Sequence, residues 1–212
     1  MIEIFAFRHG QTDWNKEGRI QGHLDVPLNE EGKEEAKRLA RGFRRVPVSL
    51  ILSSDLSRAV HTSEIAIALA NEEGWHPEVP ILKDERLREV HLGALQGLTH
   101  TEIHEKFGGE LSGKLGRKIL SDEELRELGS ESADCLLLRV MDALEEATAR
   151  KEFHATGRAL GLSTHGGVLR RLLYWAGGIE QLKFPIPNAV FFRFQYEREN
   201  RSLHFIAETP LS

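Results

Sequence analysis

Two short apolar runs, residues 2–7 and 159–163, each break off at a histidine followed by glycine: Arg8-His9-Gly10 near one end of the chain and Thr164-His165-Gly166-Gly167 near the other. Three more short apolar runs (48–52, 189–195 and 203–207) alternate with longer stretches of helical periodicity (30–45, 55–73, 99–107, 131–150 and 167–177). That alternation predicts a mainly parallel sheet with helices on both faces, a three-layer α/β/α sandwich. Asn29 and Ser54 precede two of the helical stretches and are residue types that accept a backbone N–H at a first turn. In an open sheet of this class, ligands bind beyond the carboxyl ends of the strands. Both His-Gly pairs are expected at that edge, where they can share one small site.

Residues 93–129 interrupt the rhythm. This stretch is glycine-rich, carries two short helical patterns and has no strong strand signal. It is expected to form a small helical lid inserted over one end of the sheet, within a single domain spanning residues 1–212. With 40% hydrophobic and 29% charged residues, the composition is that of an ordinary globule. The net charge of −5 argues against a nucleic-acid partner, whose binders carry a basic face. No apolar run reaches the ~18 residues of a membrane helix. Cys135 is the only cysteine, so no internal disulfide can form. A lone cysteine, together with a strand beginning at Ile2 where a secretory leader would lie, predicts a cytoplasmic protein.

Four segments carry reactive residues. They are Arg8-His9-Gly10-Gln11-Thr12, with Asn15 and Gln21-Gly22 downstream; Ser53-Ser54-Asp55-Leu56-Ser57-Arg58-Ala59; Leu87-Arg88-Glu89-Val90-His91-Leu92-Gly93-Ala94-Leu95-Gln96-Gly97; and Thr164-His165-Gly166-Gly167-Val168-Leu169-Arg170. In this order the four resemble the histidine phosphatase superfamily, also called the phosphoglycerate mutase-like family, along essentially the whole chain. The resemblance implies that His9 is the nucleophile that becomes phosphorylated. It assigns Arg8, Arg58 and His165 to the phosphate pocket, with Asn15, Gln21 and the Gly166 N–H as further contacts and Glu89 as proton donor to the leaving group.

The residue types suit that chemistry. An imidazole must be neutral to attack phosphorus, and cationic neighbours disfavour its protonated form. Two guanidiniums match a phosphate dianion in charge and in donor geometry. Glu89 is under opposing influences: the arginines favour its carboxylate, while burial and the arriving dianion favour the acid. No metal and no cofactor are required. His100 and His104 share a helical face, but Glu102 is expected to point away from them, so they are read as part of a solvated face and not as zinc ligands. Trp14 lies near enough in sequence to line the site.

Within the resemblance, the third segment runs close to the cofactor-dependent mutases but departs at two positions. Mutases have tyrosine where Leu92 stands and lysine where His100 stands. Only Arg117 remains of an arginine pair, and the insertion that follows in mutases is largely missing. Residues 98–131 contain eight acidic and five basic residues, an ill match to the cationic cover a retained bisphosphate needs. The Gly129-Ser130-Glu131-Ser132 element and Gly167 in place of asparagine resemble the phosphatase branch. The favoured function is hydrolysis of a small-molecule phosphomonoester; a phosphoglycerate mutase and a non-catalytic phospho-ligand binding module stand as alternatives. The apolar stretch 184–194 fits a core strand, with a homodimer contact as the other option.

Overall fold

A computed structural model describes residues 1–117, 120–150, 153, 159–177, 186–188 and 190–209. Its strands are β1 (Ile2–Arg8), β2 (Val48–Ser54), β3 (Ile81–Asp84), β4 (Ala159–Thr164), β5 (Phe191–Glu197) and β6 (Ser202–Thr209). They form one sheet in the order β3-β2-β4-β1-β5-β6. The first four run parallel, β5 is antiparallel to β1, and β6 is antiparallel to β5. The sheet is therefore mainly parallel, as the alternation of segments requires.

The helices are α1 (Asp13–Glu17), α2 (Glu30–Gly42), α3 (Ser57–Glu72), α4 (His100–Phe107), α5 (Gly109–Arg117), α6 (Asp122–Glu127), α7 (Ala133–Ala149) and α8 (Gly166–Trp175). On one face of the sheet, Leu39 and Ala40 of α2 and Ala66, Ile67 and Ala70 of α3 pack on Phe5, Phe7, Val48 and Ile51. On the other, Leu136, Val140 and Leu144 of α7 and Val168, Leu169 and Leu172 of α8 pack on Ile4, Ala6, Leu50, Leu52, Leu160 and Leu162. Successive residues of β1 thus enter opposite cores, because side chains alternate across a strand. Burial on both faces explains why β1 and β4 read as continuous apolar runs. Each Leu, Ile or Phe so buried contributes about 1.5–3 kcal/mol.

Local chemistry sets the ends of the elements. The Gly32 N–H donates to Asn29 Oδ1 at 2.9 Å, so Asn29 caps α2 as expected. That helix stops at Gly42, three residues early, in successive turns with bonds to the third residue back, ahead of Pro47. Ser54 does not cap α3. The helix starts at Ser57 behind Leu56, and the Ser54 hydroxyl is turned to His165 instead. Strand β3 has no counterpart in the sequence reading: four residues following Pro80 are too short to show a period. Position 189, the expected start of β5, lies outside the described residues, as do 184 and 185. Phe191, Phe192 and Phe194 of that stretch are buried in the chain's own cores.

The described residues of 93–129 include a 3₁₀ turn and helices α4, α5 and α6, around a small cluster of Leu95, Ile103 and Leu128 that is separate from the two main cores. The Ile20 N–H bonds to the Leu98 carbonyl (2.9 Å) and the Gly97 N–H to the Ile20 carbonyl (2.8 Å). These bonds tie the segment to the loop that follows α1. Among the described residues no helix is long and apolar enough to cross a membrane.

Candidate active site

The site assembles where β1, β2, β3 and β4 end. Arg8 is in register with Thr164, and the His9 N–H donates to the Thr164 carbonyl at 3.0 Å. His9 and His165 are therefore the next residues on two adjacent parallel strands, ~4.8 Å apart by the spacing of any sheet. Their ring centroids lie 5.1 Å apart at an interplanar angle of 58°. Two histidines separated by 156 positions meet because one register brings them together.

Hydrogen bonding fixes the tautomer of His9. His9 Nδ1 lies 2.7 Å from the Gly10 carbonyl, which can only accept, so Nδ1 carries the proton and Nε2 keeps its lone pair. Gly10 is itself fixed: its N–H donates to Thr62 Oγ1 (2.9 Å), and a Cβ there would lie 2.3 Å from the Gly32 carbonyl. His165 Nε2 lies 2.8 Å from Ser54 Oγ, and the same oxygen accepts the Leu56 N–H at 3.3 Å. Nδ1 of His165 is buried without a protein partner. Both imidazoles are held well below the ordinary histidine range, first by burial and then by the adjoining Arg58 charge, with Arg8 adding to it. His9 thus presents a lone pair on Nε2 beside the unpartnered Nδ1 of His165.

Arg58 is wholly buried, and burial pulls its guanidinium down to about 10. Its Nη1 and Nη2 donate to the carbonyls of Leu24 and Gly22 (2.8 Å each), so it also shapes the 22–24 loop. Arg8 Nη1 donates to the Ile186 carbonyl at 2.8 Å. The buried Nε atoms of Arg8 and Arg58, like His165 Nδ1, have no protein partner. Buried polar nitrogens without partners are uncommon, and these three belong to one site.

Glu89 arrives on the loop after β3. Its Oε1 accepts the Val90 N–H (2.9 Å) and its Oε2 the Gly167 N–H at the N-terminus of α8 (3.0 Å). A Cβ on Gly167 would fall 2.3 Å from Glu89 Oε1, so glycine at 167 is what admits the carboxylate. Gly166 is the first residue of the same helix, with its N–H at that positive end. Asn15 Oδ1 accepts from the Thr12 N–H and hydroxyl (3.1 Å each), closing a capping box on α1. Gln21 is buried with its Oε1 unpartnered; a phosphate oxygen there requires the amide turned so that NH₂ faces it.

A cavity of about 310 Å³ opens over this floor. Arg8, His9, Asn15, Gln21, Arg58 and Glu89, all named from sequence, line it together with Trp14, Arg19, Ile20, Leu92, His100 and Arg170. His100 therefore lines the cavity and is not simply part of a solvated helix face. Glu102 accepts the Thr99 N–H (2.7 Å) and pairs with Arg19 (2.9 Å). No group of three metal-ligating side chains occurs among the described residues. The sequence reading gave no role to Arg170, although it lies one helical turn beyond Gly166, nor to Ser54 beyond capping.

Paired imidazoles and guanidiniums at the carboxyl edge of a parallel sheet form a donor set suited in charge and geometry to a phosphoryl group. The chain belongs to the histidine phosphatase superfamily (branch 1), whose model matches residues 4–209. A metal-independent phosphoserine phosphatase of Arabidopsis thaliana is 38% identical over 81% of this chain and 67% of its own length. A 2,3-bisphosphoglycerate-dependent phosphoglycerate mutase of Gloeobacter violaceus is 35% identical over 82% of this chain and 74% of its own. Among solved structures, a mycobacterial glucosyl-3-phosphoglycerate phosphatase complexed with VO₃ superposes with a TM-score of 0.74 at 27% identity, covering 97% of each chain. The family contains both phosphatases and mutases, and a small phosphorylated substrate fits both.

Proposed function

We propose that this protein hydrolyses a small phosphomonoester through a phosphohistidine on His9. The observation that carries the reading is the pair of imidazoles 5.1 Å apart, His9 with its Nε2 lone pair free, and Arg8 and Arg58 beside them. In the first step His9 Nε2 attacks phosphorus and the bond to the leaving oxygen breaks. Glu89 delivers a proton to that oxygen. The imidazolium formed on His9 keeps its Nδ1–H on the Gly10 carbonyl. Arg8, Arg58 and His165 Nδ1–H face the three phosphoryl oxygens, with the Gly166 N–H and the Asn15 and Gln21 amides as further donors. Donors fixed in advance stabilise developing charge without reorganisation. In the second step water attacks phosphorus and the P–N bond breaks. Glu89, now a carboxylate, takes the proton from water, and inorganic phosphate leaves with neutral His9 restored.

Residues 93–129 are proposed to act as a lid, since Leu92, which precedes them, and His100 of their first helix line the cavity. The same two positions are those at which the chain departs from the mutase pattern, which favours water over a second phosphoglycerate as acceptor. The lone Cys135 fits a cytoplasmic setting. Hydrolysis of p-nitrophenyl phosphate by the purified protein in chelator tests the proposal. The wild type is expected to turn over and to form an acid-labile phosphoenzyme; His9→Ala is expected to do neither. Turnover undiminished in His9→Ala would sink it. The 35% identity to a mutase supports a second reading. Interconversion of phosphoglycerate isomers that depends on added bisphosphate would establish it in place of hydrolysis, whereas phosphate binding without turnover would indicate a binding module.

A further inference from the structure

The segment that carries Glu89 is gripped by residues that do not line the cavity. Arg139, on α7, donates Nη1–H to the Arg86 carbonyl (2.5 Å) and Nη2–H to the Glu89 carbonyl (3.0 Å). Its Nε and Nη2 also pair with the two carboxylate oxygens of Glu131, at 2.9 and 2.5 Å. Glu131 Oε1 accepts the His91 N–H (2.8 Å), and the Ser130 hydroxyl donates to the His91 carbonyl (2.7 Å). His23 Nε2–H adds a second bond to the Glu89 carbonyl at 2.8 Å. The side chains of the ion pair are only 18% and 15% exposed.

We infer that Arg139 and Glu131 are positioning residues for Glu89, an inference resting on the reading of Glu89 as the proton donor. Only a planar guanidinium reaches two carbonyls three residues apart while holding a carboxylate in two places; a lysine ammonium offers one point of contact. Glu131 neutralises that guanidinium, which would be costly to bury alone, and itself fixes the backbone at His91. The 86–91 loop is thereby held on both sides of Glu89. Its carboxyl is then left with one orientation, between the Val90 and Gly167 N–H groups. This gives the Ser130-Glu131 element a task at a site it never touches. A displacement of about 1 Å at a reacting group can cost ~10²-fold in rate.

The test compares two probes on the full chain. The p-nitrophenolate leaving group of p-nitrophenyl phosphate departs without a proton, whereas the alkoxide of glycerol 2-phosphate needs one. All variants are compared by kcat/KM, which stops at leaving-group departure and leaves out the later water attack. Glu89→Gln serves as the reference and is expected to lose ~10²-fold or more on glycerol 2-phosphate and far less on p-nitrophenyl phosphate. Arg139→Met is expected to lose about tenfold or more on glycerol 2-phosphate and less than about twofold on the aryl ester. Arg139→Lys should recover only part of that loss. Should Arg139→Met fail to fold, Glu131→Gln, which keeps the shape of the side chain, carries the same comparison. Equal losses on both probes, or none, would overturn the inference while leaving Glu89 in place. A reference variant without leaving-group dependence would instead overturn the reading of Glu89, and the inference with it.

Discussion

Ser54 shows how little a residue's type reveals of its task. Its position before a helical stretch suggested a cap, yet its hydroxyl serves His165. On the proposed reading Ser54 donates to Nε2 of His165, so Ser54→Ala removes that donor and frees the ring to move its proton there, turning a lone pair toward the phosphoryl group. We predict about a tenfold fall in kcat, restored by threonine, with the ¹⁵N spectrum of His165 reporting protonated Nδ1 in the wild type and a mixture in the variant. An unchanged ¹⁵N spectrum would disprove the assignment. Gly167 supplies a second case. A methyl group at 167 would stand 2.3 Å from Glu89 Oε1 and 2.8 Å from Val90 Cγ2. Gly167→Ala is therefore expected to cost about 1–3 kcal/mol in stability and to slow glycerol 2-phosphate more than p-nitrophenyl phosphate, read by urea melts and paired kinetics. The doublet Gly166-Gly167 was legible in the sequence as a strand-end motif. Its reason was not, because Glu89 lies 78 positions away.

Helix α2 does not line the cavity, yet it backs the His9 loop. Gly10 and Gly32 are each other's neighbours: a Cβ on Gly32 would lie 2.0 Å from the Gln11 carbonyl. On propensity alone, Gly32→Ala should stabilise an exposed helix by about 1 kcal/mol. Here the obstruction is backbone, which cannot swing aside, and overpacking of this kind costs about 1–3 kcal/mol. The clash wins. We expect a lower urea midpoint and a kcat reduced through the displaced His9, and a variant more stable than wild type would contradict this account. Element boundaries followed their chemistry where it was local, as at Asn29 and Thr99, both of which cap helices. Strand β3 lacked such a signal and exists because β2 offers it an edge.

For the molecule as a whole, two buried neutral imidazoles link stability to pH. Unfolded, each histidine titrates near 6.5; folded, each is held well below that value by burial and by Arg58. Below about 6.5 the unfolded chain therefore binds more protons, so stability is complete above that pH and falls as pH falls through it. Each histidine contributes a slope of up to about 1.4 kcal/mol per pH unit. Urea midpoints between pH 7.5 and 5 should decline accordingly, and His165→Gln should flatten the decline; an identical slope in that variant would refute the linkage. The layered α/β/α architecture and the four reactive segments were legible in the linear chain, because strand and helix periods and strand-end His-Gly pairs are local patterns. The meeting of His9 with His165 and the grip of Arg139 on Glu89 were decided by the tertiary structure. Each depends on register or packing between segments some fifty or more residues apart, and no local pattern encodes a distance between strands that have not yet paired.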